Sequence, residues 1–135
     1  MANFKKHLVI GAFAGTISGI VLYLIRYFQE HRRNPNHKFG LWKFILTILA
    51  GCTLGAITGI AADRFEPATN PNHRGFFHSV AFWILLGIAA YKTLMERNID
   101  CICKNLVVFG FTGYSSHLIL DMETPKSLPL FGIYI

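Results

Sequence analysis

The sequence predicts an all-α integral membrane bundle of four transmembrane helices, a single domain over residues 1–135, and three observations carry that prediction. Hydrophobic residues make up 53% of the chain and mean hydropathy is +0.41, too apolar for an ordinary soluble domain. Four windows, 8–28, 41–62, 76–95 and 102–120, approach the roughly 20 apolar residues that a helix needs to cross a bilayer. The polar and proline-containing stretches fall between those windows and not within them.

The first window follows Met1 to Lys6. Its length exceeds the apolar region of a signal peptide and it lacks a small-x-small cleavage site, so it is read as an uncleaved helix. Gly11, Gly15 and Gly19 recur every fourth residue in it, and Gly51, Gly55 and Gly59 do the same in the second window. Each set leaves one helical face without side chains, so that two backbones can approach closely. Packing within the chain is the expected use of these faces, with a homo-oligomer formed through them as the alternative. The third and fourth windows carry His78, Lys92, Lys104, Asn105 and His117 near their ends, where long basic side chains snorkel to the interface.

Three connections separate the windows. Gln29 to Gly40 is basic, with His31 and His37 expected as solvated loop histidines; Arg64 to Arg74 holds Pro67 and Pro71; Glu96 to Asp100 is short. The net charge of +6 is spread between apolar spans and not along one solvated stripe, which points to anionic lipid headgroups and away from nucleic acid. Loops one and three carry eight Lys and Arg against five on the other side, so the positive-inside rule places both termini and the second loop outside the cytoplasm. Cys52, Cys101 and Cys103 lack the paired spacing of a structural zinc site.

Four spans of alternating direction bring the start of the first, the end of the second, the start of the third and the end of the fourth to one membrane face. His7, Asp63, His73 with His78, and His117 with Asp121 fall at those four places. His117 and Asp121 are spaced i, i+4 and share a helical face. Imidazole and carboxylate together suit a divalent transition metal, zinc foremost, as one or two ions. Each residue also has a plainer use: His7 as an interfacial anchor, Asp63 as the partner of a loop arginine, His73 and His78 as donors to backbone carbonyls, and His117 with Asp121 as a hydrogen-bonded couple. Glu66 is placed to act as a base or to remain a solvated loop carboxylate.

Two segments add a resemblance. His73-Arg74-Gly75-Phe76-Phe77-His78-Ser79 and Gly113-Tyr114-Ser115-Ser116-His117-Leu118-Ile119-Leu120-Asp121-Met122-Glu123-Thr124-Pro125 resemble the two signature motifs of the YdjM-like family of predicted membrane-bound metal-dependent hydrolases, H-R-G-x-T-H-S and G-Y-x-S-H-x-x-x-D-x-x-T-P. The chain departs from the family at Asp63-Arg64-Phe65-Glu66-Pro67, where D-x-D-H-P is usual, and at Phe77, where threonine is usual. It is similar to a short, divergent member.

The resemblance implies metal-dependent hydrolysis of a phosphoester on a lipid or lipid-linked substrate at the interface of a cell membrane that the chain crosses several times. His7, Asp63, His73, His78, His117 and Asp121 would be ligands, Glu66 would take a proton from water, and Arg74 would bind a phosphoryl oxygen. Ser79, Ser116 and Thr124 would hold the ligands in orientation. A second class stays open: a non-catalytic membrane protein with a structural or sensory metal site, as a subunit of a larger assembly. A channel or transporter is disfavoured because no charged residue lies in mid-span.

Overall fold

The structure, a computed structural model, describes residues 4–66 and 75–122, and among these it is helical with no strand. The helices are α1 (Phe4–Arg33), α2 (Leu41–Gly59), the short α3 (Ala61–Phe65), α4 (Val80–Met95) and α5 (Cys101–Met122), with a 3₁₀ turn at Phe76–His78 ahead of α4. Helices α1 and α2 form an antiparallel pair with the largest interface in the molecule; α5 packs against both, while α4 leans chiefly on α5.

Helix α1 has the inverse of a soluble helix's polarity. Its buried residues are His7, Gly11, Gly15 and Gly19, whereas Val9, Phe13, Ile17, Val21, Ile25 and Phe28 are exposed, Phe13 by 66%. Large apolar groups pointing outward and glycines pointing inward make sense in lipid, where burial of apolar surface drives no helix together and close packing does. Helix α2 repeats the pattern with Gly51, Gly55 and Gly59 buried.

The two glycine faces meet each other. A Cβ added at Gly11 would run into the Gly55 carbonyl, one at Gly15 into the Gly51 carbonyl, and one at Gly59 would lie 2.9 Å from the His7 carbonyl oxygen. Helix α5 joins through Gly113, where a Cβ would collide with Thr58 and the Gly55 backbone. The homo-oligomer considered through these faces therefore loses its surface: the same chain already covers both stripes. Ser18 Oγ and Thr112 Oγ1, 3.2 Å apart, add a polar tie between α1 and α5.

Of the four expected spans, two are long and apolar enough to cross a membrane, Phe4–Arg33 and Leu41–Phe65. Helix α4 has 16 residues, about 24 Å at 1.5 Å per residue against roughly 30 Å of hydrocarbon. It begins at Val80 and not Phe76 because Ser79 caps it: the Ser79 hydroxyl accepts from the Phe82 N–H at 3.1 Å and donates to the Phe76 carbonyl at 2.7 Å. The second window breaks at Ile60, where the backbone N–H turns back to the Ile57 carbonyl. Asp100 caps α5 through the Cys103 N–H at 2.8 Å, a bond that holds its carboxyl below the usual range.

At the end of the bundle distant from His7, the loop after α1 is fastened by Tyr23. Its hydroxyl accepts from the Gly40 N–H and donates to the Gly40 carbonyl, both at 2.9 Å. His37 pairs with Glu30 at 2.9 Å and rests on Tyr27, so it is more tied down than a solvated loop histidine.

The glycine seam makes a quantitative prediction. Gly15→Ala should lower stability in detergent by about 1–3 kcal/mol through overpacking. Gly110→Ala, whose new Cβ meets only Thr58 Cγ2 at 3.7 Å, should be neutral or stabilise by up to about 1 kcal/mol. Paired denaturant melts check this, and equal effects at the two positions would contradict the seam.

Candidate metal centre

The break at Ile60 leaves the Gly59 carbonyl at the end of α2, where it accepts from His117 Nδ1–H at 2.8 Å. A carbonyl only accepts, so the proton sits on Nδ1 and His117 Nε2 keeps its lone pair unless the ring is charged. His78 is set in the same way. Its Nδ1 lies 2.8 Å from Glu66 Oε2, while Glu66 Oε1 accepts from the Phe77 N–H at 3.0 Å. Carboxylate or carbonyl on one imidazole nitrogen, with the other left to bind, is the usual way of fixing a histidine ligand.

The two Nε2 atoms face each other at 3.1 Å, and both rings are fully buried. Two acceptors at that distance repel unless a cation, a proton or a metal ion, lies between them. Asp121 Oδ2 stands 3.4 Å from His117 Nε2 and 3.5 Å from His78 Nε2. Asp63 Oδ1 stands 3.5 Å from His78 Nε2 and 3.8 Å from His117 Nε2. Two ligands each about 2.0–2.1 Å from a tetrahedral zinc are about 3.3 Å apart, and the donor atoms of His78, His117 and Asp121 outline a triangle of that size. Those three side chains are buried, whereas Asp63, beside the two histidines, is 19% exposed and lies on the accessible side.

His7 completes the cluster from α1. Its Nε2 lies 3.7 Å from Asp121 Oδ1, and its ring is tilted at 39° to that of His117 with centroids 4.0 Å apart. Its Nδ1 is buried with no hydrogen-bond partner among the described residues. Such an orphan is costly in a protein interior. His7, Asp63 and His117 also offer donor atoms within 4.8 Å of one another. The donors are nitrogen and carboxylate oxygen throughout, and the cysteines lie elsewhere.

The structure thus brings together His7, Asp63, His78, His117 and Asp121, with Glu66 behind His78. His73, Arg74 and Thr124 lie outside the described residues. Ser79 is placed in the cap of α4, and Ser116 Oγ donates to the Gly113 carbonyl within α5. Both bond backbone: Ser79 fixes the turn that carries His78, and Ser116 stays within its own helix.

Two positioning groups were not singled out from the sequence. Tyr114 donates its hydroxyl to the Phe77 carbonyl and so ties the 3₁₀ turn to α5. Trp83 Nε1–H donates to Ser115 Oγ at 2.9 Å and ties α4 to the same helix. Tyr114 and Ser115 stand beside His117 in the second motif, so an aromatic hydroxyl one turn before a ligand was the signal to follow. The partners of both are set by tertiary contact alone.

Tyr114→Phe should lower stability by about 1–3 kcal/mol, because it strands a carbonyl in the interior. Tyr91→Phe, at an exposed position of α4, serves as the control. Equal melting temperatures for the two variants would remove Tyr114 from the turn's support.

Comparison with known proteins agrees with a membrane setting. The family model described as YdjM inner membrane protein matches residues 1–132. No curated protein and no solved structure matches the chain.

Proposed function

The chain belongs to the YdjM inner membrane protein family, and from that premise we propose that it is a membrane-bound metal-dependent hydrolase of a phosphoester carried by a lipid or lipid-linked substrate. The observation that carries the reading is the buried pair of facing Nε2 atoms on His78 and His117, each with its other nitrogen committed, beside Asp121. That arrangement fits a divalent transition metal, zinc foremost.

In this reading all four long helices cross the bilayer. The 3₁₀ turn adds about 6 Å to α4 at 2.0 Å per residue and brings it to about 30 Å. The charge asymmetry supports a site face outside the cytoplasm.

His78, His117 and Asp121 would hold the ion, with His7 beside Oδ1 of Asp121 able to begin a second position. A divalent metal bound there supplies Lewis acidity, polarising a phosphoryl oxygen and acidifying a water. Glu66 was expected as the base, but both of its oxygens are occupied by the His78 ring and the Phe77 N–H, which suits it to orienting His78. The Asp63 carboxylate, which borders the ligand triangle on its accessible side, would take the proton from water instead. Arg74 remains the candidate for a phosphoryl oxygen, on the strength of the motif it occupies.

A cleft of about 320 Å³ supports a lipid substrate. It runs between α2, α4 and α5, is lined by Thr58, Leu86, Ala89, Val107, Phe111 and Tyr114 among others, and begins one helical turn from His117. An apolar chain seated there would present its head at the site. Ala89→Phe should therefore depress turnover of a long-chain phosphoester while sparing a short, water-soluble one. Equal losses on both substrates would take the cleft out of substrate binding.

One observation favours the second reading, a structural or sensory metal site in a non-catalytic protein. Asp63 stands beside both histidines, where it could serve as a fourth donor, and structural zinc sites are closed whereas catalytic ones keep a position open. Asp63 separates the two. In a hydrolase, Asp63→Asn retains the metal and loses about 10²-fold or more in turnover; in a structural site it loses metal and thermal stability together. Elemental analysis of the wild type beside an Asp121→Ala control comes first, since an absence of metal in the wild type would sink both readings.

Glu66→Gln should weaken metal binding by about 10–100-fold, as loss of a ligand's orienting partner does. Competition with a chelator measures it, and unchanged affinity with abolished turnover would return Glu66 to proton transfer.

A further inference from the structure

The opposite end of the bundle holds a second cavity, of about 550 Å³, between the C-terminal turns of α1, the start of α2 and the first residue of α5. Tyr23, Arg26, Tyr27, Lys38, Trp42 and Lys43 are among its walls. Three cations thus converge on one concavity. Arg26 is held toward α5 by a bond from its Nη2 to the Cys101 carbonyl at 3.3 Å. The cavity's carboxylate, Glu30, is engaged by His37 in the same wall at 2.9 Å, and no ion pair to Arg26, Lys38 or Lys43 occurs among the described residues.

The depth of this cavity identifies what it faces. It lies where the exposed apolar stripe of α1 ends at Phe28 and that of α2 begins at Leu41 and Trp42, both largely exposed. Aromatic rings at that level mark the membrane–water interface. Basic pockets between membrane helices at headgroup depth bind anionic headgroups, and a guanidinium matches two phosphate oxygens at once. We infer that this cavity is a binding site for the headgroup of an anionic phospholipid, with Arg26 and Lys43 on the phosphodiester, Lys38 at its outer edge and Trp42 beside the upper acyl chain.

The site is independent of the metal cluster. Charge complementarity and depth define it, whether or not the protein hydrolyses anything. It also gives the basic residues of this end a use beyond a diffuse attraction to the bilayer. A diffuse attraction would depend only on how many charges are present, whereas a pocket depends on which ones.

Native mass spectrometry of the detergent-purified chain, titrated with phosphatidylglycerol or with phosphatidylcholine of the same acyl chains, tests the inference. The wild type should retain one phosphatidylglycerol in preference to phosphatidylcholine. Arg26→Gln with Lys43→Gln should weaken that binding at least about tenfold, the effect of losing a hydrogen bond to a charged group. Arg32→Gln with Arg33→Gln removes the same charge from the same end, outside the cavity, and should leave the retained lipid in place.

Equal weakening in the two double variants, or no headgroup preference in the wild type, would overturn the pocket. So would displacement of the lipid by inorganic phosphate at matching concentration, which would make it a site for soluble anions. Lys38→Gln alone provides a milder variant should the double variant fail to fold, and it too must weaken phosphatidylglycerol binding for the inference to stand.

Discussion

The approach of α1 and α2 along their glycine faces is the constraint on which the rest of the molecule depends. With Gly11 and Gly15 set against Gly51 and Gly55, the two backbones run closer than any side chain would permit, and the packing that lipid cannot drive by exclusion is supplied by contact. The seam ends at the cluster. Gly59 lies against the His7 carbonyl, and the Gly59 carbonyl fixes the tautomer of His117. A change in helix separation would therefore move His7 and His117 together.

Burial decides the chemistry that the cluster can hold. Four of its side chains, His7, His78, His117 and Asp121, are almost wholly removed from solvent, where an unmatched polar group costs about 1–3 kcal/mol and a charge more. Nitrogen and oxygen donors converge, and the outer nitrogens of His78 and His117 are committed to Glu66 and to Gly59. A cation between the two Nε2 atoms would satisfy His78, His117 and Asp121 at once. Helices that share little apolar interface with one another, such as α3 and the turn before α4, would then be joined through it.

Much of this was legible in the sequence because membrane segments advertise themselves by composition and because alternation of direction needs no energetics. The face shared by His7, Asp63, His78, His117 and Asp121 follows from counting spans. What could not be read were contacts that depend on where a backbone bends. Ile60 looks like any other residue of an apolar run, yet the break there frees the carbonyl that orients His117. Phe76 and Phe77 continue the apolar third window by composition, but Ser79 caps α4 after them and turns them into the support of His78. The exposed apolar stripe of α1 was visible as hydropathy and its glycine face as a four-residue spacing suited to packing within the chain, but which glycine meets which showed only when α2 lay against it.

The unequal packing of the four long helices bears on which reading of the cluster holds. Helices α1, α2 and α5 are locked by glycine contacts, whereas α4 rests on α5 through Trp83 and Phe82 and leaves a cleft beside α2. A site whose only purpose was to staple the bundle would be expected to brace its weakest joint, and His78 does lie at the start of α4. Yet bracing that end alone leaves the cleft open along the rest of the helix, beginning one turn from His117 with Asp63 on the accessible side. A staple gains nothing from an apolar cleft at its edge, while an enzyme acting on a lipid requires one. The position of the cleft, more than the number of donors, weighs toward catalysis.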